Sequence, residues 1–462
     1  MRSLGWSLVL STLVFHGSTG AAAATTDLFH DPPPLSSLEW VSEDVDGGFS
    51  PLATGAPLDL QLDSKQQPHI FYSAAFEMPH QYLYAHRQSD GSWIKEVVDV
   101  YDSKYGTFDA DTHLVIDKDD HVHVLYTKEG TDPEPCAGCS DCDTCSGATP
   151  RCCASDPNCC DAPMWGELWY AVRDVQSGNW TRTLVDRGYR LNETNGRPMD
   201  CSLALDDNGN PHVAYYLERP TMQLWWASPA QSGSWSKELV ATDGGYDNHL
   251  VLANGYPIII YWSENCFCVR IWAQAPDGQN VTGTVGEGPN SGASAQGYGI
   301  STALSNDSSE LLVSFTRNVY SSDTARVAVV PLEAAGGVGT LPNISASLDK
   351  DTARASPTAI TFGTDNMPAV AFSYGTADGA PFEVHTAFQT SQSSTDWTLK
   401  PVPATLINST GGLDGAAALG LECCDDRGLP VLAYTRRPSI YESYLAYATL
   451  QVSNATQHQH LL

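Results

Sequence analysis

The chain has 462 residues, and its 24 Lys plus Arg against 54 Asp plus Glu give a formal net charge of −30. Such a charge repels nucleic acid, anionic membranes and polyanionic polysaccharides at long range, so no nucleic-acid partner is expected. No stretch reaches the roughly 18 apolar residues of a membrane span, so none is expected either.

At the N-terminus, Arg2 precedes an apolar run from Leu4 to Phe15, and small residues from Gly17 to Ala24 offer A-x-A cleavage points. Residues 1–24 read as a secretory signal peptide, which predicts a secreted, extracellular protein. N-x-S/T sequons at Asn179, Asn192, Asn280, Asn306, Asn343, Asn408 and Asn454 fit glycosylation in that compartment.

The segment from Ser202 to Val240 is one unit of a repeat. Its runs Ser202–Leu205, Pro211–Tyr216, Leu224–Ala227 and Ser234–Val240 alternate apolar with polar residues, and Asp/Asn/Gly clusters separate them. That is the pattern of short antiparallel strands joined by tight turns, and four strands in about forty residues make one propeller blade. Seven copies of its first strand pair follow in order. They are Leu58 to Tyr72, His113 to Tyr126, Ser202 to Tyr216, His249 to Tyr261, Ser301 to Phe315, Ala359 to Phe372 and Ala418 to Tyr434.

Fourth strands are expected to start at Trp93, Trp180, Trp235, Val281, the Val338 region and Trp397. The seventh is expected at the other end of the chain, where residues 38–45 repeat the Trp-to-Val spacing of Trp235 to Val240. Pairing that segment with the last third strand, near Tyr444 to Leu450, closes the ring without an open edge. The fold expected is all-β, a seven-bladed β-propeller of four-stranded antiparallel blades. It spans residues 36–452 as a single domain, with a tail at 453–462.

Between the second and third copies the spacing grows by roughly thirty residues, and the excess is a Cys-rich insertion at 131–163. It carries Cys136, Cys139, Cys142, Cys145, Cys152, Cys153, Cys159 and Cys160. Successive C-x-x-C spacings suit a soft metal, but an oxidising compartment turns such a segment into a disulfide knot. Cys201, Cys266, Cys268, Cys423 and Cys424 lie elsewhere and are further disulfide candidates. Cys266 to Cys268 is one bridge, and a bond from the insertion to Cys201 would pin it to the ring. The total of thirteen is odd, so one thiol is buried, free or paired with another chain.

First strands line the channel of a propeller, so matching positions form rings. Asp59, His113, Ser202, His249 and Ser301 share one ring, and Asp111, Asp200 and Asp247 lie two residues nearer the strand starts. A channel mouth with His113, His249 and Asp59 suits acid-base chemistry. Together with the ligand-binding candidates Asp111, Asp200 and Asp247 it suits a divalent cation, calcium or zinc. The plainer reading is polar residues lining a wet channel. His69, His123 and His212 recur at one repeat position and read as packing groups.

The units resemble the BNR-like propellers of the sialidase superfamily, in which a polar turn precedes a Trp-led fourth strand. Here those turns are Ser89-Asp-Gly-Ser-Trp93, Ser177-Gly-Asn-Trp180 and Ser232-Gly-Ser-Trp235. The full Asp-box pattern S-x-D-x-G-x-x-W is met at none of them. The resemblance implies a seven-bladed ring and a glycan partner without choosing a reaction. Three functions follow as expectations: a secreted glycan-binding module, a polysaccharide-acting enzyme using His113 or His249 as base, or an adhesion protein whose Cys-rich insertion contacts an extracellular protein.

Overall fold

The computed structural model describes residues 34–49, 58–74, 80–101, 112–131, 164–189, 196–217, 222–230, 233–275, 277–287, 299–319, 322–332, 346–347, 358–363, 366–374, 383–390, 396–402, 419–439 and 442–452. After one 3-10 turn at Leu35–Ser37, every regular element among them is a strand.

Strand β1 (Leu38–Phe49) comes first. Blade 1 follows as β2 (Leu58–Leu62), β3 (Pro68–Ala74), β4 (His80–Arg87) and β5 (Trp93–Tyr101). Blade 2 is β6 (Thr112–Ile116), β7 (Val122–Thr131), β8 (Met164–Arg173) and β9 (Trp180–Tyr189). Blade 3 is β10 (Pro198–Leu205), β11 (Pro211–Leu217), β12 (Gln223–Pro229) and β13 (Trp235–Ala241). Blade 4 is β14 (Gly244–Ala253), β15 (Tyr256–Ser263), β16 (Cys268–Gln274) and β17 (Asn280–Glu287). Blade 5 is β18 (Ser301–Leu304), β19 (Glu310–Val319), β20 (Ser322–Pro331) and β21 (Ala346–Ser347). Blade 6 is β22 (Thr358–Phe362), β23 (Pro368–Tyr374), β24 (Glu383–Gln389) and β25 (Trp397–Pro401). Blade 7 takes β26 (Leu419–Glu422), β27 (Val431–Ser439) and β28 (Glu442–Val452), and β1 is its outer strand.

The chain is a seven-bladed β-propeller: seven four-stranded antiparallel sheets, with inner strands β2, β6, β10, β14, β18, β22 and β26 neighbouring one another in cyclic order. β1 pairs with β28 from Leu38 opposite Val452 to Phe49 opposite Ser443, so the closing strand runs four residues past the expected 38–45. The outer strand of blade 5 is at Ala346–Ser347 rather than near Val338, which lies outside the described residues. No Trp marks that strand, and the other cue, alternation, is too short there to fix a boundary.

Blades pack face to face, and the apolar core is the set of interfaces between them. One cluster joins Leu58, Ile70 and Leu83 of blade 1 to Val431, Leu445 and Tyr447 of blade 7. The Trp-led outer strands serve this packing. Trp93 stands edge-on to Tyr447 of blade 7 at 5.5 Å, Trp180 to Tyr84 of blade 1 at 5.5 Å, and Trp235 to Tyr170 of blade 2 at 5.9 Å. Each such pair adds about 0.5–1.5 kcal/mol beyond the area it buries. Polar tips are met as well: Trp93 Nε1 donates to Glu43 Oε1 at 3.1 Å, and Arg87 pairs with the same carboxylate. Blade 2 repeats this, with Arg173 bidentate on Glu96 and Trp180 donating to it.

The insertion separates β7 from β8. Thr131 is the last residue of β7 and pairs with Met164, so the segment outside the described residues is 132–163, including its eight cysteines. It leaves the ring at the end opposite the β6–β7 hairpin. Residues 1–24, Asp111, Asn192, Asn343, Asn408, Asn454 and the tail at 453–462 also lie outside the described residues.

Candidate functional site

Strand register extends the ring of first strands to all seven blades: Asp59, His113, Ser202, His249, Ser301, Ala359 and Gly420 occupy one position. An inner strand has no partner on its channel side, so it presents bare N–H and C=O groups that need hydrogen bonds. The ring side chains supply them to the next blade. Asp59 Oδ2 accepts from Leu114 N at 2.9 Å, and Ser301 Oγ accepts from Ile360 N at 3.3 Å. His113 bonds to the backbone of Cys201, and His249 to that of Ile300; both bonds favour the protonated ring, which marks the carbonyl as acceptor. Ser202 Oγ donates to Asn248 Oδ1 at 2.9 Å, and Asn248 Nδ2 reaches the Asp200 carbonyl.

His113, His249 and Asp59 are brought together. The two imidazoles meet edge to face with centroids 5.8 Å apart, although they come from blades 2 and 4, because blade 3 contributes only the small, buried Ser202 between them. His113 Nδ1 lies 3.8 Å from Asp59 Oδ2. This approach is not an ion pair. Burial holds His113 at about 3 and His249 at about 4, with the neighbouring His249 adding to the effect on His113, while burial pushes Asp59 up to about 7. Between those values both partners are uncharged.

Asp200 and Asp247 precede the ring residues Ser202 and His249 by two positions. Both have left-handed backbone, with φ of 42° and 47°, at register shifts where their strands bulge. Asp is among the few residues that tolerate that conformation. Asp247 Oδ2 also accepts from Ile300 N at 2.6 Å, and burial pushes its carboxyl up to about 7.

Among the described residues, His113, His249 and Asp59 do not bring three ligand atoms within 4.8 Å of one another. Among the described residues, the group of three with ligand atoms within 4.8 Å is Asp117, Asp119 and His121 in the β6–β7 hairpin. Its atoms build the turn: Asp117 Oδ1 accepts from Asp119 N and His121 N, and its Oδ2 faces His121 and His123. His69, His123 and His212 are packing groups. His123 bonds Tyr170 OH at 2.5 Å, His69 meets Tyr84 OH, and His212 stacks on Trp226 at 5.7 Å.

A cavity of about 680 Å³ opens at the hairpin end of the channel, between blades 1, 5, 6 and 7. Its polar lining includes Gln61, Thr302, Asn306, Thr361 and Glu422, and it borders Ile360 and Phe362, whose side chains pack in the core between blades 5 and 6. Gln61, Thr361 and Glu422 stand two residues beyond the ring position, and the ring residues of blades 5 to 7, Ser301, Ala359 and Gly420, are small. Gln61 Nε2 donates to Glu422 Oε2 at 3.1 Å. Burial, then the nearby Asp59, push Glu422 up to about 8. Cys423 and Cys424 lie at the cavity edge with their sulfurs together, as do those of Cys266 and Cys268, whose Cα atoms are 5.1 Å apart. Cys201 is buried within β10.

No protein-family model and no curated protein matches this chain. Among solved structures, a protein of unknown function from Dyadobacter fermentans is similar at 9% identity and a TM-score of 0.46, over 89% of this chain and 99% of that one. Penicillium chrysogenum alpha-L-arabinanase, complexed with arabinobiose, gives 10% identity and 0.46 over 88% and 98%. Aleuria aurantia lectin, in complex with Fucalpha1-6GlcNAc, gives 11% identity and 0.41 over 79% and 100%. No residue role follows from likenesses of this degree.

Proposed function

We propose that this protein is a secreted recognition module that binds a saccharide in the cavity at the hairpin end of its channel. The observation that carries this reading is the lining: amide and hydroxyl groups of Gln61, Thr302, Asn306 and Thr361 around an open volume. A sugar ring presents hydroxyls around its edge, and it needs such neutral donors and acceptors. About 680 Å³ lies within the range of small-ligand sites and admits one or two such rings. The test is retention of the full chain on a glycan array, with Gln61→Ala as control. Retention of a defined glycan, weakened by the substitution, supports the reading; a folded protein that retains none refutes it.

A second reading, an enzyme acting on a polysaccharide, draws on one observation. Asp59, held near 7, has the proton affinity suited to a general acid at neutral pH. His113 and His249 fit such a role less well, because rings held at about 3 and 4 are weak bases and each already bonds a neighbouring strand. Release of reducing ends from neutral polysaccharides, abolished by Asp59→Asn in a protein that remains folded, would establish this alternative.

Secretion brings two modifications into the same reading. The sequons at Asn179 and Asn280 are exposed and open to glycosylation. Cys266 with Cys268 and Cys423 with Cys424 stand as the disulfides of an oxidising compartment.

A further inference from the structure

The cavity at the hairpin end has a one-sided charge. Glu422 lies on its wall, Asp425 and Asp426 stand at its edge, and among the described residues its lining contains no Lys, Arg or His. The guanidinium of Arg427, beside Asp426 in sequence, is committed to Asp425, with two nitrogens on Asp425 Oδ2. Asp425 is occupied a second time by the backbone N–H groups of Arg427 and Leu429. Asp426 is open to solvent, its side chain 87% exposed. Glu422 is different: among the described residues no cation pairs with it, and its side-chain partner is the neutral amide of Gln61 at 3.1 Å.

A carboxyl in this position is costly to ionise. Burial against the adjoining strands disfavours the charged form, and the nearby Asp59 adds to the effect. Gln61 supplies one hydrogen bond but no charge. Among the described residues the wall lacks a cation, and the open volume beside it has room for one.

We infer that the cavity takes a protonated amine carried by its saccharide and seats it against Glu422, so that the ligand is an amino sugar with a free amino group. This rests on the saccharide-binding reading above. Glu422 then accepts a charge-assisted N–H···O hydrogen bond, about twice as strong as a neutral one. Burial of Glu422 and the charge of Asp59 set its resting affinity for a proton, and the ligand ammonium replaces that proton as counter-charge. An N-acetylated sugar offers an amide of no charge at the same place and brings a methyl group against the carboxyl.

The test compares two probes that differ only at that nitrogen, a β-1,4-linked glucosamine tetramer and its fully N-acetylated counterpart. Titration calorimetry is run on the full chain at pH 7 and physiological salt. The free-amine tetramer is expected to bind about tenfold tighter, one charge-assisted bond in terms of affinity. A net charge of −30 attracts any polycation, so wild type alone does not decide the matter. Glu422→Gln removes one carboxylate of 54 acidic residues and preserves side-chain size. It is expected to bring the two tetramers within about twofold of each other, while melting shows the variant folded. Equal or tighter binding of the N-acetylated tetramer by wild type overturns the inference, and so does a free-amine preference that survives Glu422→Gln. If neither tetramer binds but a neutral glycan is retained on the array, the amine is wrong and saccharide binding stands. If nothing is retained at all, saccharide binding itself falls.

Discussion

Gln61 Nε2 donates to Glu422 Oε2 at 3.1 Å, joining the first inner strand to the last across 361 positions of sequence. The bond lies at the seam where blade 1 meets blade 7. Beside it Gly420 brings β26 close to β2: a Cβ there would lie 3.0 Å from Leu60 Cβ and 3.2 Å from Leu60 N. The same close approach that seals the ring puts Glu422 and Asp59 near each other, and their mutual repulsion makes the seam sensitive to pH.

The sign of that sensitivity follows from proton uptake. Asp59 and Asp247 are raised from 3.8 to about 7, and Glu422 from 4.5 to about 8, so the folded chain holds protons that the unfolded chain has released. These three groups make stability fall as pH rises from about 4 to 8. His113 and His249 act oppositely, lowered from 6.5 to about 3 and 4, and stop contributing once pH passes 6.5. Between pH 6.5 and 8 the carboxyls therefore act alone. The melting temperature is expected to drop over that interval, and less so in Glu422→Gln; a flat wild-type profile in thermal melts would contradict the raised values.

Asp59 is expected to matter as an acceptor more than as a charge. Asp59→Ala leaves the Leu114 N–H at the channel edge without its carboxylate and costs about 1–3 kcal/mol. Asp59→Asn keeps an oxygen in place and is expected to remain within about 1 kcal/mol of wild type. Urea denaturation of the two variants separates these outcomes, and equal losses would show that the hydrogen bond to Leu114 contributes nothing.

Trp40 tests the closing strand. It is 3% exposed, packs in the interface between blades 6 and 7, and donates through Nε1 to Thr386 Oγ1 of blade 6 at 2.8 Å. Trp40→Ala is expected to cost about 3–5 kcal/mol, and deletion of residues 36–47 to destabilise the whole ring. An unchanged denaturation midpoint in either variant would show that β1 does not hold the ring together.

Much of the ring was legible because its signals recur. Strand pairs such as Leu58 to Tyr72 and Ser202 to Tyr216 repeat apolar alternation and turn chemistry, and Trp40 repeats the spacing of Trp235. The cavity was not legible, because Gln61, Thr302, Thr361 and Glu422 come from four blades and become neighbours only once register is known. Titratable ring residues stand out in a sequence, while Ala359 and Gly420, which leave that side of the channel open, carry no such signal. His113 and His249 share the ring position, and their rings meet. Their bonds to Cys201 and Ile300 answer a need no sequence pattern displays, the bare channel edge of each inner strand. Asp200 and Asp247 were conspicuous partly for a backbone reason, the left-handed bulge that Asp accommodates.

The pairing of β1 with β28 also sets an order of events during synthesis. β1 is made before the first blade, yet its partner from Glu442 to Val452 is made only after six blades have followed. The earlier blades can stack on one another as they emerge. The seventh cannot be completed until Val452 has been made, so a chain stopped before it exposes one bare strand edge at β1 and another at its last finished blade. Both edges are then open to pairing with other chains, and closing the ring removes the two together.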